Sequence, residues 1–481
     1  MSAAAIPRVR VKTPASVRTP LREHVPSVLV AGLSAAFGVG LLQIIGFLSA
    51  AISQDDVTGS SHTVTIMLQV VAIVFIVIAV YVSAIITANT FATIVAGRVR
   101  SIALLRLLGS TAASQRQQIA TEGLFVGVAG TVLGGLAGTG IAFAVGRITV
   151  ALDIVPENPY GYLDPVLVLP VVGVILTTWT ASWVGSRRVL TVTPLQALGG
   201  SEELSREEVV QRPGRNVLAL VLVVAGFLFL VLGLLVGLAS PFGVLIGLVG
   251  GITSFTGVVF AADRVMPPAL RLVGRLLGRS APARLAAENA LRHPQRSSRA
   301  TIGLVIGVTL LMTFGVAMAT WQQIILAAQA DQPEVYQGID QMLNAVLAIF
   351  SILIGFSGVI AAVGLVNNLS LSVLQRTREL GLLRALGFSV QQLRRMILSE
   401  SAQLVVTAVV LGIVLGGFYG WAGAQSMLGS INGAPGFVFP AVPWVILAVV
   451  LVGGAALTGI ASWAPTRRAT RVSPITALSV E

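Results

Sequence analysis

The residue types that most often carry catalysis or bind metals are nearly absent from this chain of 481 residues. It has no cysteine, which excludes a thiol nucleophile, a disulfide and a cysteine-type metal site. Its three histidines, His24, His62 and His293, lie far apart in the sequence. The single lysine, Lys12, follows no glycine-rich stretch, so a Walker A loop for nucleotide phosphates is absent. We therefore predict no catalytic residue, no metal site and no ATP binding by this chain itself.

The arginines, in contrast, form a motif that occurs twice. The copies read RVRSIALLRLLGSTAASQRQQIATEGL from Arg98 and RTRELGLLRALGFSVQQLRRMILSESA from Arg376, 278 positions later. In each copy, leucines at helical spacing precede a glycine, and a hydroxyl residue that can cap a new helix follows it. The pattern predicts two helices joined at the glycine. We call residues 98–111 the first elbow and residues 376–389 the second elbow.

The candidate functional residues are those of the two elbows, and two interpretations of them remain open. An elbow either lies on lipid as an amphipathic helix or forms a docking surface for a symmetric cytoplasmic partner. The candidates in the first elbow are Arg98, Arg100, Leu104, Leu105, Arg106, Leu108 and Gly109, and those in the second are Arg376, Arg378, Glu379, Leu382, Leu383, Arg384, Leu386 and Gly387.

Further residues match between the two copies. Glu122 and Glu400 lie near the start of the following apolar segments, where the helix dipole is a sufficient reason for a carboxylate. The alternative is an ion pair with an elbow arginine that makes the two helices move together. Small residues at four-residue spacing predict close helix packing at Gly134, Gly138, Gly412 and Gly416.

Composition places these motifs in an all-α integral membrane protein. Hydrophobic residues make up 55% of the chain and charged residues only 10%, and the mean hydropathy is +0.90. A soluble domain carries about 25% charged residues. The net charge of +12 does not indicate nucleic-acid binding, because the basic residues are spread over short loops between apolar segments.

Ten apolar segments are long enough to cross a membrane as helices. They cover residues 26–52, 63–93, 118–148, 162–186, 216–239, 242–263, 300–328, 342–372, 399–430 and 440–465. Of the 31 lysines and arginines, all but Arg147 fall on the side that holds both termini. Cytoplasmic loops collect these residues, so we expect both termini and both elbows in the cytoplasm. The basic segment 282–303, before the seventh span, is either an interfacial helix or a solvated loop.

The spans themselves are duplicated. ASWVGSRRVLTVTPLQAL from Ala181 matches ASWAPTRRATRVSPITAL from Ala461, including the Trp, the Arg pair and the Pro. We predict two four-span units in a parallel pseudo-two-fold arrangement, with spans 5 and 6 as a central insertion. The predicted domains are a cytoplasmic tail (1–25), a first unit (26–198, core 63–198), linkers with spans 5 and 6 (199–298) and a second unit (299–481, core 342–481).

The second motif copy, the segment AAENALRHPQRSSRATIGLVIGVTLL and the ending RRATRVSPITALSVE resemble the FtsX-like permeases of ABC transporters. This class includes MacB and the lipoprotein-releasing permeases. The ten-span layout is similar to permeases of peptide-antibiotic resistance, but without their large extracytoplasmic domain. The first unit departs from the pattern at Ser101, where the second has Glu379, and at Ala103, where it has Gly381.

The resemblance implies that each elbow couples to a separate ATPase, hence two P-loop ATPase subunits per chain, with ATP-Mg bound on those partners. It implies a bacterial plasma membrane protein that exports or extracts a hydrophobic or amphipathic substrate, such as an antibiotic, peptide or lipid, by mechanotransmission. Membrane lipid and an extracytoplasmic accessory protein are further expected partners. The alternative is a transmitter that moves no substrate and regulates an extracytoplasmic partner. The scarcity of charge within the spans disfavours ion-driven transport.

Overall fold

The computed structural model describes residues 21–52, 62–97, 99–151, 161, 164–191, 213–276, 288, 294–333, 351, 355, 358, 387–431 and 436–471. Every regular element within these ranges is helical. The α-helices are α1 (Leu21–Ile52), α2 (His62–Gly97), α3 (Val99–Leu107), α4 (Ala112–Ala151), α5 (Val168–Gly185), α6 (Pro213–Gly237), α7 (Gly243–Leu276), α8 (Pro294–Asp331), α9 (Val390–Leu428) and α10 (Trp444–Arg471). Two 3-10 turns, Pro165–Leu167 and Ser186–Thr191, flank α5.

Seven helical segments in the described ranges are long and apolar enough to cross a membrane. They lie in α1 and α4 to α9, except that the segment of α5 includes the preceding 3-10 turn, and they correspond to predicted spans 1, 3 to 7 and 9. Predicted spans 2 and 10 contain the shorter apolar segments Ile76–Asn89 and Trp444–Ala456. Predicted span 8 falls almost wholly outside the described residues, so the total of ten stays a prediction.

Helices α1 and α8 form the centre of the described structure. In their most apolar stretches 67% and 78% of the residues are buried, whereas the other five spans reach at most 44%. Helix α1 packs against α2, α4 and α5, and α8 packs against α7, α9 and α10. One hydrophobic core joins both sets through fully buried side chains such as Phe37, Met266, Leu270 and Phe314. The two central helices are therefore covered by protein, while the outer helices keep faces for lipid.

Glycines set the closest helix contacts. In the α1–α4 pair, a Cβ built on Gly138 would lie 2.5 Å from the carbonyl oxygen of Ala36, and one built on Gly134 would overlap Gly32. In the α8–α9 pair, a Cβ on Gly412 would lie 2.6 Å from the Cβ of Val308. A Cβ on Gly416 would lie 2.5 Å from the carbonyl oxygen of Thr309. The four glycines expected to pack helices thus lie at close contacts with the partner helix.

Helices α6 and α7 form the predicted central hairpin. They pack closely along their length, and an ion pair of 2.8 Å joins Arg215 at the start of α6 to Asp263 in α7. Two consecutive prolines, Pro267 and Pro268, lie inside α7. Helix α8 runs unbroken from Pro294 into the membrane span, so the second half of the 282–303 segment is the start of that span rather than a separate interfacial helix.

Candidate functional site

The first elbow turns at a glycine with a left-handed backbone. Gly109 has φ +95°, a region that favours glycine. Its N–H donates to the carbonyl oxygen of Arg106 (3.1 Å), and the N–H of Ser110 donates to that of Leu105 (2.9 Å). These two bonds form a Schellman motif, which satisfies the free carbonyls at the end of α3. Gly387 has φ +97° at the matching position of the second elbow.

Hydroxyl groups cap the helix after each turn. In the first elbow, the Oγ1 of Thr111 accepts from the N–H of Ser114 (3.1 Å). In the second elbow, the Oγ of Ser389 accepts from the N–H of Gln392 (3.2 Å), and the Gln392 side chain accepts from the N–H of Ser389 (2.9 Å). Because each helix end is closed locally, the direction of the chain at each glycine is fixed.

One face of α3 is anchored to the rest of the first unit. Val99, Ile102 and Ala103 are buried in a small apolar cluster. The cluster also contains side chains from the end of α2, from α4 and from the 3-10 turn after α5, namely Phe91, Val95, Ile119, Val126 and Val189. The sequence analysis missed these anchors, although their spacing places them on one helix face. Packing therefore connects α3 to three other elements, namely α2, α4 and the 3-10 turn after α5.

The other face of α3 carries leucines that the described structure leaves uncovered. Leu104 is 49% exposed, Leu107 is 52% exposed and Leu108 is 82% exposed. Leu105 and Arg106 are half-buried. Burying a leucine side chain contributes about 1.5–3 kcal/mol, so three of them make an effective apolar contact surface. In the described part of the first elbow, the exposed surface is formed largely by leucine side chains, so it can bind another apolar surface.

A contact between Arg116 and Trp183 ties the start of α4 to the end of α5. The Arg116 Nη2 and Nε donate to the carbonyl oxygen of Trp183 at 3.0 and 3.3 Å, and the guanidinium carbon lies 3.6 Å from the ring centroid. Both residues have a counterpart in the second unit, Arg394 and Trp463. Arg116 lies in the repeated elbow motif and Trp183 in the repeated motif that begins ASW. The recurrence of both residues is the sequence signal that could have indicated their contact.

The remaining candidates are placed as follows. Arg100 lies in α3, but its side chain is outside the described part of the structure. Eight candidates fall outside the described residues altogether, namely Arg98, Arg376, Arg378, Glu379, Leu382, Leu383, Arg384 and Leu386.

Glu122 and Glu400 are each the eleventh residue of their helix, since α4 and α9 begin at residues 112 and 390, earlier than the predicted spans. The dipole acts mainly in the first turn, so the dipole explanation of these carboxylates is wrong. Glu122 is half-buried and Glu400 is only 4% exposed. Both interact with neighbouring groups of the protein.

Comparison with known proteins identifies the chain by two separate segments. A family model described as FtsX-like permease C-terminal matches residues 73–194 and 351–474, together just over half of the chain. The first of these segments contains the first elbow, and the second contains the second elbow.

Individual relatives carry the same assignment. An ABC transporter permease of Bacillus subtilis (strain 168), YtrF, is 33% identical over 153 residues, which are 29% of this chain and 34% of that protein. The macrolide export ATP-binding/permease protein MacB of Rhodopirellula baltica is 32% identical over 152 residues, 31% of this chain and 21% of that protein. The pyoverdine export ATP-binding/permease protein PvdT of Pseudomonas syringae pv. syringae is 32% identical over 140 residues, 29% of this chain and 19% of that protein. The matches span about a third or less of these relatives. This chain belongs to the FtsX-like permease family of ABC transporters.

Proposed function

We propose that this chain is the permease subunit of an ABC transporter, driven by two copies of a separate P-loop ATPase that dock at the two elbows. The observation that carries the proposal is the exposed leucine face of the first elbow, on a helix whose opposite face is anchored. ATP-Mg binds on the partner subunits, since this chain has no P-loop lysine.

The proposed architecture is ten spans in two four-span units, 26–198 and 299–481, related by a pseudo-two-fold axis along the membrane normal. Residues 1–25 form the tail, and residues 199–298 hold the insertion. The matching glycine turns at Gly109 and Gly387 support this arrangement, as does the recurrence of glycine contacts in the α1–α4 and α8–α9 pairs. Corresponding helices in the two units thus meet through the same class of contact.

The proposed location is the bacterial plasma membrane, with both termini and both elbows in the cytoplasm. The distribution of arginine over the loops supports this orientation, because positively charged loops are retained in the cytoplasm. An ATPase that closes on ATP then approaches both elbows from the same side. Membrane lipid and an extracytoplasmic accessory protein complete the proposed set of partners.

The proposed mechanism transmits movement from the elbow through its anchors. Force on the leucine face acts on α3, and the apolar cluster around Ile102 passes it to α2, α4 and the 3-10 turn. The Arg116–Trp183 contact adds α5 to the same body. Closure of the ATPase pair would therefore tilt the outer helices of a unit together rather than bend the elbow alone.

The proposed substrate is a hydrophobic or amphipathic molecule, such as an antibiotic, peptide or lipid, that enters from the membrane and is released outward. The outer helices α4, α5 and α6 keep largely exposed apolar faces, which a substrate dissolved in lipid can reach without crossing water. The names of the two exporters among the relatives agree with outward movement. The competing function, signal transmission without transport, predicts ATPase activity that no candidate substrate stimulates.

Truncation of the elbow leucines tests the docking proposal. We expect Leu108→Ala with Leu386→Ala to weaken binding of a P-loop ATPase that co-purifies with the parent chain about tenfold, because each buried anchor contributes more than about 1 kcal/mol. Co-purification and ATP hydrolysis in nanodiscs measure the effect. Leu190→Ala is the control, since Leu190 is 52% exposed in the nearby 3-10 turn. Unchanged ATPase binding by the double variant would show that the elbows are not part of the interface.

A further inference from the structure

Helix α7, in the central insertion, holds side-chain hydrogen bonds to helices of both units. In the first unit, the hydroxyl of Tyr81 in α2 donates to the carbonyl oxygen of Ile252 (3.1 Å) and lies 2.7 Å from the Oγ1 of Thr256. In the second unit, the hydroxyl of Tyr419 in α9 lies 2.9 Å from the Oγ of Ser254. The residues of α7 that make these contacts lie within about one turn of one another.

A cluster of three aromatic rings accompanies the hydroxyl contacts. Phe255 of α7 is buried between the two tyrosines. Its ring centroid lies 6.5 Å from that of Tyr81 and 6.2 Å from that of Tyr419, and both pairs are edge-to-face. Such pairs are favourable in addition to the area they bury. Phe255 thus contacts both units at the same level of the bundle.

Two more bonds join α7 to the second unit further along the helix. The Nε2 of Gln403 in α9 donates to the carbonyl oxygen of Leu270 (2.6 Å), and Gln403 is fully buried. The Oγ of Ser298 in α8 donates to the carbonyl oxygen of Ala262 (3.3 Å). Polar groups buried among apolar helices must find partners, and here the partners come from the insertion.

The helices joined by α7 are the ones connected to the elbows. Helix α2 runs directly into α3 of the first elbow, and α9 begins directly after Gly387 of the second. We infer that α7 is a strut that couples the two elbows, so that a displacement of one changes the position of the other. The inference rests on the proposed function for its purpose, since coupled elbows would make the two ATPase sites act together.

The test uses the permease alone in lipid nanodiscs, so its outcome does not depend on whether an ATPase docks. The chain has no cysteine, which makes Leu108→Cys, in the first elbow, and Gln391→Cys, two residues after the second elbow, unique sites for spin labels on exposed positions. Pulsed electron spin resonance then gives the distribution of distances between them. In this background, Tyr81→Phe with Tyr419→Phe removes the two hydroxyls and keeps both rings beside Phe255. We expect a distribution roughly twofold broader than that of the parent.

The matched control removes two hydroxyls whose hydrogen bonds, among the described residues, lie within their own helix. Thr177 and Thr180 of α5 donate to the carbonyl oxygens of Gly173 (2.7 Å) and Leu176 (2.9 Å), so Thr177→Val with Thr180→Val is expected to leave the distribution unchanged. If the tyrosine variant cannot be purified as a monodisperse protein, Gln403→Leu is measured in the same way. A distribution equal to that of the parent, in whichever variant is measured, overturns the strut. Failure of the leucine variants to weaken ATPase binding would instead overturn the docking proposal and leave this result intact.

Discussion

At Gly109 the reason for glycine is the backbone alone. Among the described residues, a Cβ built there has no atom within 4 Å, so space is available, but φ is +95°. Gly387 combines the same two properties, with φ +97°. A residue with a side chain costs about 1–2 kcal/mol in this conformation. Glycine is therefore required for the backbone conformation of the turn rather than for lack of space for a side chain.

Alanine at the turn should therefore loosen the elbow without a steric clash. We expect Gly109→Ala and Gly387→Ala each to cost about 1–2 kcal/mol locally and to speed amide exchange in the affected elbow. Hydrogen exchange with mass spectrometry measures the change. Gly140→Ala in α4 is the control, because a Cβ there also meets nothing within 4 Å in the described part of the chain and the backbone is helical. Equal exchange in Gly109→Ala and the parent protein would show that the turn does not depend on glycine.

The Arg116–Trp183 contact makes a second prediction for single residues. We expect Arg116→Ala and Trp183→Ala to be non-additive by about 0.5–1 kcal/mol, the usual strength of an exposed cation–π pair. A double-mutant cycle on thermal unfolding in detergent measures the coupling. Arg116→Lys should recover only part of it, because lysine lacks the planar guanidinium group that stacks on the indole ring. Additive losses would mean that the two residues do not act as a pair.

Sequence alone predicted the glycine turn but not which face of α3 is covered. The turn follows from local chemistry, since a glycine after a leucine-rich helix and before a hydroxyl residue is a helix end in almost any context. The helix, however, is apolar on both sides, with Ile102 and Ala103 opposite the leucines. Which side is buried depends on α2, α4 and the 3-10 turn, and those contacts are not local.

Among the elements, α1–α4 and α8–α9 are pairs in which one glycine of a Gly-Gly dipeptide faces the partner helix. Gly134 and Gly416 contact the partner helix, whereas a Cβ on Gly135 or Gly417 would meet no atom of the described residues within 4 Å. Successive residues of an α-helix point in different directions, so one glycine of each dipeptide faces the partner helix and the other does not. Each dipeptide therefore contains its own control.

Alanine substitution should affect the stability of the protein differently at the two positions of each dipeptide. We expect Gly134→Ala and Gly416→Ala each to destabilise the protein by about 1–3 kcal/mol, since the added methyl group must push the backbones apart. Gly135→Ala and Gly417→Ala should be neutral or slightly stabilising, because alanine favours a helix more than glycine does. Melting temperatures of the four variants in the same detergent provide the comparison. Equal losses at neighbouring positions would contradict the packing described.

Helix starts show what hydropathy can and cannot predict for an element. It placed the third and ninth spans at 118 and 399, but the helices begin at Ala112 and Val390. Hydropathy marks where apolar residues begin, whereas caps such as Thr111 and Ser389 mark where the helix begins. Because the spans were predicted to start too late, Glu122 and Glu400 were expected in the first turns of their helices. The dipole explanation followed from that expectation and was mistaken.

For the whole molecule, the membrane class, the repeated motif and the family followed from the sequence. The bonds of α7 did not, because Tyr81 and Thr256 are 175 positions apart and nothing in either local sequence selects the other. Ser254 and Tyr419 are likewise distant in the chain. Internal sequence similarity identifies the features that the two units share. It gives no information about the contacts of the unmatched insertion that joins them.

The central claim is that two cytoplasmic elbows of one chain each hold an ATPase subunit. Site-specific crosslinking tests it directly, since Leu108→Cys and Leu386→Cys would be the only thiols of the permease. We expect each single variant to crosslink one ATPase subunit and the double variant to yield a product with two. An active transporter in which neither thiol reaches an ATPase, or in which both react with a membrane-impermeant reagent added outside intact cells, would contradict it.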